Sequence, residues 1–337
     1  MEFNAYLSLL MNRIDLNALQ AEEFLGYILD ESDINDQQVT DALKAITEKK
    51  PTVDEVYGFV MAMQSRMHSI SAPSTTIDTC GTGGDKTGTF NISTAAAIVI
   101  ASRGVPVAKH GNRAATSLCG SADVLQELGV PISLTAKEAE SSLAMNKFVF
   151  LFAPQYHPSL KRLSIIRKSL GFPTVFNLLG PLLNPAHVKR QVIGTYGKEN
   201  SILIASVMSR LGYEHGLVLT SSDGLDEASL DAEVSLLEVK GNTITEFKFT
   251  AMDFDLSPAP LSSLLGGDAI VNASIIESAL EQGSKMNPHR EIIILNAALG
   301  FYVAGETNTI NEGVSIAKKT LESGKAAMLL SKIRIAK

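Results

Sequence analysis

The chain has 337 residues, with 36 Asp and Glu against 29 Lys and Arg, giving a formal net charge of −7. At ~150 residues per domain that length suggests two domains. A content of 45% hydrophobic and 19% charged residues excludes a disordered chain, and the acidic total argues against a surface built throughout for nucleic acid. The total hides a partition. Residues 1–85 carry 5 bases and 14 acids, residues 86–198 carry 13 bases and 4 acids, and residues 199–337 carry 11 bases and 18 acids. A segment of +9 therefore sits between segments of −9 and −7.

The opening MEFNAYLSLLMNRIDLN has neither a basic n-region nor an uninterrupted apolar h-region, so no signal peptide is expected. No apolar run approaches the ~20 residues that span a bilayer. The two cysteines, Cys80 and Cys119, lack metal-site spacing and read as free thiols in a reducing, cytoplasmic setting. The first seventy residues read as helices. Thr52-x-x-Glu55 after Pro51 is a capping-box start, and Val56, Phe59, Val60 and Met63 then fall on one helical face. Pro73 breaks this pattern within Ser71–Thr75, which marks a domain junction.

From Thr76 the rhythm becomes strand, loop, helix. Strands are predicted at Thr76–Cys80, Val105–Lys109, 148–154, 191–196 and 216–221, with helices over Ser93–Arg103, Ser121–Leu128, from Thr135, and up to Leu211. This alternation predicts a mostly parallel sheet with crossover helices. Between Pro158 and Ala186 the chain turns helical and basic, so this stretch is expected to return to the helical domain. Segments 233–240 and 243–250 flank Gly241-Asn242, a hairpin signal. Two amphipathic helices, around 290–303 and 311–323, are expected to close the chain.

Four loops carry candidate chemistry. The first, Asp78-Thr-Cys-Gly-Thr-Gly-Gly-Asp85, with its GTGGD turn at 81–85, leads through TFNIST (89–94) into a helix. Its glycines permit close backbone approach, and Ser93 and Thr94 sit at a helix N-terminus, where free N–H groups favour phosphate. It is neither a Walker A loop nor a dinucleotide fingerprint. The second runs from Lys109-His110-Gly111-Asn112-Arg113 past Ser117 to Ser121 and Asp123; between Lys86 and Ala122 there are four bases and no acid. Both loops should open at the C-terminal edge of the sheet, where open α/β sheets bind ligands. Together they read as a polyphosphate pocket, with Lys109 as a point charge for phosphate oxygens. The third, Asp223-Gly-Leu-Asp226-Glu227, offers hard oxygen ligands for Mg²⁺ shared with phosphates. The fourth is basic: eight bases and no acid lie between Ser141 and Lys198, including Arg167, whose fork could grip a carboxylate.

These stretches resemble the anthranilate phosphoribosyltransferase family. GTGGD (81–85), TFNIST (89–94), VAKHGNR (107–113), GSADVLQELG (120–129), FLFAPQYHPSLK (150–161), RKSLG (167–171), FNLLGPLLNPA (176–186) and DGLDE (223–227) stand in family order. One departure is Ala114-Ala115-Thr116 after Arg113, where the family more often has Ser-Val-Ser. The resemblance implies transfer of the 5-phosphoribosyl group of phosphoribosyl pyrophosphate (PRPP) to the amine of anthranilate, a step of tryptophan biosynthesis. It implies an α/β fold of the nucleoside phosphorylase/phosphoribosyltransferase kind: a helical domain (1–72, with 160–190 returning to it) beside a larger α/β domain (73–159 and 191–337) with a mostly parallel central sheet. It implies a hinge near 73–78 and a homodimer formed through the helical domain.

On this resemblance PRPP lies against Gly81, Thr82, Gly83, Gly84, Asp85, Thr89, Asn91, Ser93, Thr94, Lys109 and Ser121. Anthranilate lies against Gly81, Asn112, His157, Arg167 and Gly180, with Arg167 on its carboxylate. Ser93, Asp226 and Glu227 hold Mg²⁺, two ions per subunit when PRPP is bound. Catalytic roles fall to Arg167, Asn112 and His110. His110 has two readings, a satisfied loop histidine or a direct substrate contact. Neither nucleic acid nor membrane is expected as a partner. Two other readings share parts of the pattern: a pyrimidine nucleoside phosphorylase, and a non-enzymatic relative binding nucleic acid through the basic segment. The first would need a phosphate nucleophile site and a nucleobase pocket; the second would not need the metal and PRPP residues.

Overall fold

The computed structural model of the chain describes residues 2–30, 33–85, 87–114 and 118–334. Lys86, Ala115, Thr116 and Ser117 of the sequence reading lie outside the described residues. Four helices come first, α1 (Phe3–Met11), α2 (Ala18–Asp30), α3 (Asp36–Lys49) and α4 (Val53–Gln64), with α2 packed on α4 and α1 on α3. The Thr52–Glu55 capping box forms as its spacing predicts: Thr52 Oγ1 accepts the Glu55 N–H, and Glu55 accepts the Thr52 N–H. Glu55 is wholly buried, and also accepts from the Leu16 N–H at 3.0 Å and Lys49 Nζ at 2.8 Å. One carboxylate thus joins three segments of this bundle.

The α/β part follows as β1 (Ile77–Gly81), α5 (Ile92–Ala101), β2 (Val107–Gly111), α6 (Ser121–Glu127), α7 (Ala136–Asn146) and β3 (Phe148–Phe152). Short α8 (Ala153–Tyr156) leads to α9 (Lys161–Leu170) and α10 (Phe176–Leu179), then β4 (Arg190–Gly194), α11 (Lys198–Arg210), β5 (His215–Ser221), β6 (Val234–Lys240) and β7 (Thr243–Phe249). The seven strands form one mixed sheet in the order β3-β2-β1-β4-β5-β6-β7. β1 to β5 are parallel, and the β6–β7 hairpin turns at Gly241 and adds to β5 antiparallel. Both faces of the parallel strands are buried. Ile77, Val107, Phe148, Phe150, Val192, Leu217 and Leu219 pack into one core, while Ala108, Val149, Leu151, Ile193 and Val218 face the other side. That is why FVFLF reads as a continuous apolar run rather than an alternating one.

Leu163, Ile166, Val175, Phe176, Leu179, Leu182 and Leu183 share a core with the residues of α1 to α4. Arg162 Nε adds a bond to Asp36 Oδ1 at 2.9 Å. The chain closes with four helices, not the two expected: α12 (Ala269–Leu280), α13 (Pro288–Ala304), α14 (Ile310–Glu322) and α15 (Lys325–Ile333). Only α14 and α15 have a clear apolar stripe. α13 is buried on nearly every side from Arg290 to Phe301, packed between α5, α14 and the sheet, so its amphipathic reading was wrong. Among the described residues no helix is long and apolar enough to cross a membrane.

Replacing Glu55 with Ala takes the acceptor from the Leu16 and Thr52 N–H groups and leaves Lys49 with Asp15 and the Lys50 carbonyl alone. Urea unfolding should register a loss of about 3 kcal/mol, and a loss under about 1 kcal/mol would contradict this account of the bundle.

Candidate active site

Three adjacent parallel strands end on glycine at one edge of the sheet: β1 at Gly81, β2 at Gly111 and β4 at Gly194. The acidic turn 223–227 follows β5 and drops into the space those glycines leave. A Cβ on Gly81 would overlap the Asp226 carboxylate, and one on Gly194 would overlap the Asp226 carbonyl oxygen. Asp226 Oδ2 accepts the Gly83 N–H at 2.8 Å, and Glu227 Oε1 accepts the Ser93 N–H at 3.1 Å. The first and third loops of the sequence reading therefore meet. Gly83 and Gly84 have positive φ, at 69° and 85°, and among the described residues nothing lies within 4 Å of where either Cβ would project, so the loop presents backbone.

Ser93 and Thr94 open α5, as the sequence predicts, with Asn91 as N-cap. Lys109 lies beneath them rather than in open solvent. It is 2% exposed, and its Nζ donates to the Thr79 carbonyl at 2.6 Å and to Ser93 Oγ at 3.1 Å. Its charge reaches the loop through Ser93. Asp85 turns back on its own loop, accepting from Thr87 Oγ1 at 2.6 Å. Thr82 donates its N–H to the Gly194 carbonyl at 2.9 Å, and Thr89 bridges Leu265. In the second loop, Ser121 Oγ donates to the Asn112 carbonyl at 3.3 Å, and Asn112 is exposed.

The carboxylates here are strained towards protonation. Burial, then the charges of Glu227 and Asp85, push Asp226 well above the ordinary carboxylate range. Burial raises Glu227 to about 7, against the pull of Lys109 and Ser93. Among the described residues, no three His, Cys, Asp or Glu side chains form a ready metal cage. The adjacent carboxylates of buried Asp226 and half-buried Glu227, beside Ser93, nevertheless fit Mg²⁺, a hard cation that takes few protein oxygens and fills its shell with phosphate and water. A divalent charge here would relieve the crowding of Asp226 against Glu227 and Asp85.

On the other side of β2, His110 and His157 pair through their Nε2 atoms at 3.2 Å. His157 is 2% exposed and His110 is 9% exposed. Burial and the neighbouring His157 push His110 down to about 3, against the pull of the Gly180 backbone beside it, and burial pushes His157 to about 4. Both rings are neutral at pH 7, and His110 lies in β2 rather than in a loop, with its ring paired to His157. Gly180 has open space where a Cβ would project. Arg167 stands on α9, with Nη2 at 3.3 Å from Asn177 Oδ1 and its guanidinium 5.2 Å from the centre of the Phe176 ring. Burial lowers its pKa, and no acid is paired with it among the described residues.

Several residues of the site escaped sequence reading. Asp78, wholly buried in β1, accepts from Asn184 Nδ2 at 2.8 Å and from Gln191 Nε2 at 3.3 Å. Gln191 also donates to the Pro181 carbonyl at 2.8 Å, so the Gly180–Asn184 segment is tied to β1 and β4. The DTCGTGGD motif holds Asp78, but nothing in it separates a buried anchor from a ligand. Gly194 carried no signal beyond its place at a strand's end.

Residues 73–327 match the glycosyl transferase family, a/b domain, which accords with this sheet and its glycine-edged cleft. The anthranilate phosphoribosyltransferase of Geobacillus kaustophilus is 44% identical over 307 residues, covering 91% of this chain and 90% of that protein. That of Chlorobium phaeobacteroides is 40% identical over 99% of this chain and 97% of its own. The crystal structure of the Thermus thermophilus anthranilate phosphoribosyltransferase superposes with a TM-score of 0.91 at 34% identity, covering 97% of this chain and 98% of that one. The Saccharomyces cerevisiae enzyme in complex with PRPP and Mg gives 0.88 at 28% identity, covering 98% and 96%. The chain belongs to the anthranilate phosphoribosyltransferase family.

The two neutral imidazoles set an acid limb. Each has a folded pKa below the ~6.5 of an unfolded histidine, so the unfolded chain binds more protons and stability falls as pH drops from about 6.5 towards 4. His157→Gln removes one titrating ring, so its melting temperature should fall less steeply over that range than the wild type's. Parallel acid limbs would contradict a buried neutral pair.

Proposed function

We propose that this chain uses the cleft between its two glycine-rich loops to transfer the 5-phosphoribosyl group of PRPP to the amine of anthranilate, releasing pyrophosphate. The observation that carries this reading is the meeting of the bare backbone at Gly83–Gly84, the N-terminus of α5 and the Asp226–Glu227 pair at one sheet edge. Those backbone N–H groups of Gly81–Asp85 and of the start of α5 that Gly194, Asp226 and Glu227 do not already hold, with the hydroxyls of Thr89, Ser93, Thr94 and Ser121, would receive the phosphates. Ser93, Asp226 and Glu227 would hold Mg²⁺, two ions with PRPP bound, which neutralise charge developing on the pyrophosphate.

As the C1–O bond lengthens, the ribose becomes oxocarbenium-like and the neutral aryl amine attacks from the opposite face. The protein's work is positioning and electrostatic stabilisation, with no covalent intermediate. Arg167, half-buried and without an acidic partner among the described residues, is suited to grip the anthranilate carboxylate in a bidentate fork. Gly180 leaves room for the ring, and Asn112 and the neutral His110–His157 pair would shape its path. Lys109 would act through Ser93 rather than as a free phosphate ligand.

Residues 1–72 with 160–190 form one body in this reading, and 73–159 with 191–337 the other. Arg167 then arrives with the first body as the two close and exclude water. Exposed Met11, Ile14 and Leu19 support a homodimer formed through the helical body, and a biosynthetic role in making tryptophan fits a cytoplasmic enzyme.

The test mixes the protein with PRPP, Mg²⁺ and anthranilate and follows the loss of anthranilate fluorescence. Turnover is expected. Arg167→Ala should raise the KM for anthranilate by about tenfold or more and leave that for PRPP near the wild-type value. No turnover would overturn the reading, and an unchanged anthranilate KM would overturn the role of Arg167.

A further inference from the structure

Asn272 stands on α12, 181 residues from Asn91, yet the two carboxamides touch: Asn272 Nδ2 donates to Asn91 Oδ1 at 2.9 Å. Their polarity is set by backbone groups at both ends. The Gly267 N–H donates to Asn272 Oδ1 at 2.7 Å, which leaves Nδ2 as the end facing Asn91. Asn91 must then present its oxygen, and its own Nδ2 is directed to the Cys119 carbonyl, 3.2 Å away. The relay runs in one direction, from Gly267 N–H through two amides to Cys119 C=O. Asn272 is 1% exposed, so water cannot replace a lost partner there.

The relay joins the parts that frame the phosphate cleft. Asn91 is the N-cap of α5, and Cys119 precedes Gly120, the N-cap of α6. The chain before Asn272 is laced to the first loop as well: the Phe90 N–H donates to the Leu264 carbonyl at 3.1 Å, and the Gly266 N–H to the Gly88 carbonyl at 2.9 Å. Gly266 lies so close to Phe90 that a Cβ there would meet the Phe90 backbone at 2.8 Å.

We propose that Asn272 is a positioning residue for PRPP: by orienting the Asn91 amide towards Cys119 it fixes the spacing between the start of α5 and the second loop that carries Ser121. This rests on the reading that both loops bind PRPP. Asn272 itself touches no substrate. Each Asn91 polar atom keeps one further hydrogen-bond capacity, so the residue can serve the relay and still face the cleft.

Asn272→Asp is the incisive change. When ionised it preserves shape and the bond from Gly267 but places an acceptor against Asn91, so the KM is read from pH 7 to 9 to ionise a carboxyl that burial pushes up. If Asn91 flips to donate to it, the Asn91 oxygen is turned on the Cys119 carbonyl, so one repulsive contact remains either way. The KM for PRPP should rise about tenfold, while kcat and the anthranilate KM stay within about threefold. Ile276→Ala, one turn further along α12 and fully buried, is the control: at an equal loss of melting temperature it should leave the PRPP KM within about twofold.

In a double-mutant cycle, Asn91→Ala with Asn272→Ala should cost no more in PRPP KM than the worse single change. Asn272→Ser keeps an acceptor for Gly267 but falls short of Asn91, and it carries the same expectation should Asn272→Asp fail to fold. A PRPP KM unchanged in the variant that folds, an equal rise in Ile276→Ala, or additive effects in the cycle would each overturn the relay while the wild-type enzyme continued to turn over. Absence of wild-type turnover would overturn the enzyme reading, and the relay with it.

Discussion

The close seating of the Asp226–Glu227 turn against the glycine ends of β1 and β4 is the contact on which the rest of the cleft depends. The turn can enter only because Gly81 and Gly194 have no side chains, and once there its carboxylates reach the Gly83 and Ser93 N–H groups. Parallel pairing places β1 and β4 in register, Gly81 opposite Gly194, so both gaps open at one level. The fold thus brings residues some 140 positions apart in sequence to hydrogen-bond distance. In the ligand-free state the same seating costs energy, since it buries like charges that burial and mutual repulsion drive towards protonation. A polyphosphate with its cation is the kind of ligand that removes that cost.

Charge partition along the chain acquires a physical meaning here. The net −7 concealed a basic middle segment. Its Lys109 lies under Ser93 and lowers the charge cost of Glu227 and of buried Asp78, while Arg167 has no acidic partner among the described residues. The acidic C-terminal third supplies Asp226 and Glu227 from the turn after β5, at the same edge of the sheet. Acid and base are segregated in sequence and meet across one cleft. Buried amides do the remaining work: Asn184 and Gln191 tie the Gly180 segment to Asp78, and Asn272 ties α12 to Asn91.

Much of this was legible from local chemistry. The capping boxes at Thr52 and Thr135, the strand–loop–helix alternation and the Gly241 turn each follow from short-range rules, and all three formed. The loops that carry the cleft were legible because their residue types are unusual together. What escaped was tertiary. α13 is buried on nearly every side because it is central, so periodicity could not describe it. A lysine in a phosphate loop reads as a ligand whether its Nζ faces solvent or, as for Lys109, a buried carbonyl. Gly194 and Asn272 belong to no motif; only the packing of distant segments gives them a role.

The most direct test of this account is Gly194→Ala, assayed for PRPP-dependent turnover alongside thermal unfolding. The added methyl must displace the Asp226 backbone, so a cooperatively folded protein should lose turnover by about a hundredfold or more. Wild-type turnover with an unchanged PRPP KM would show that the acidic turn does not depend on the glycine ends of the strands.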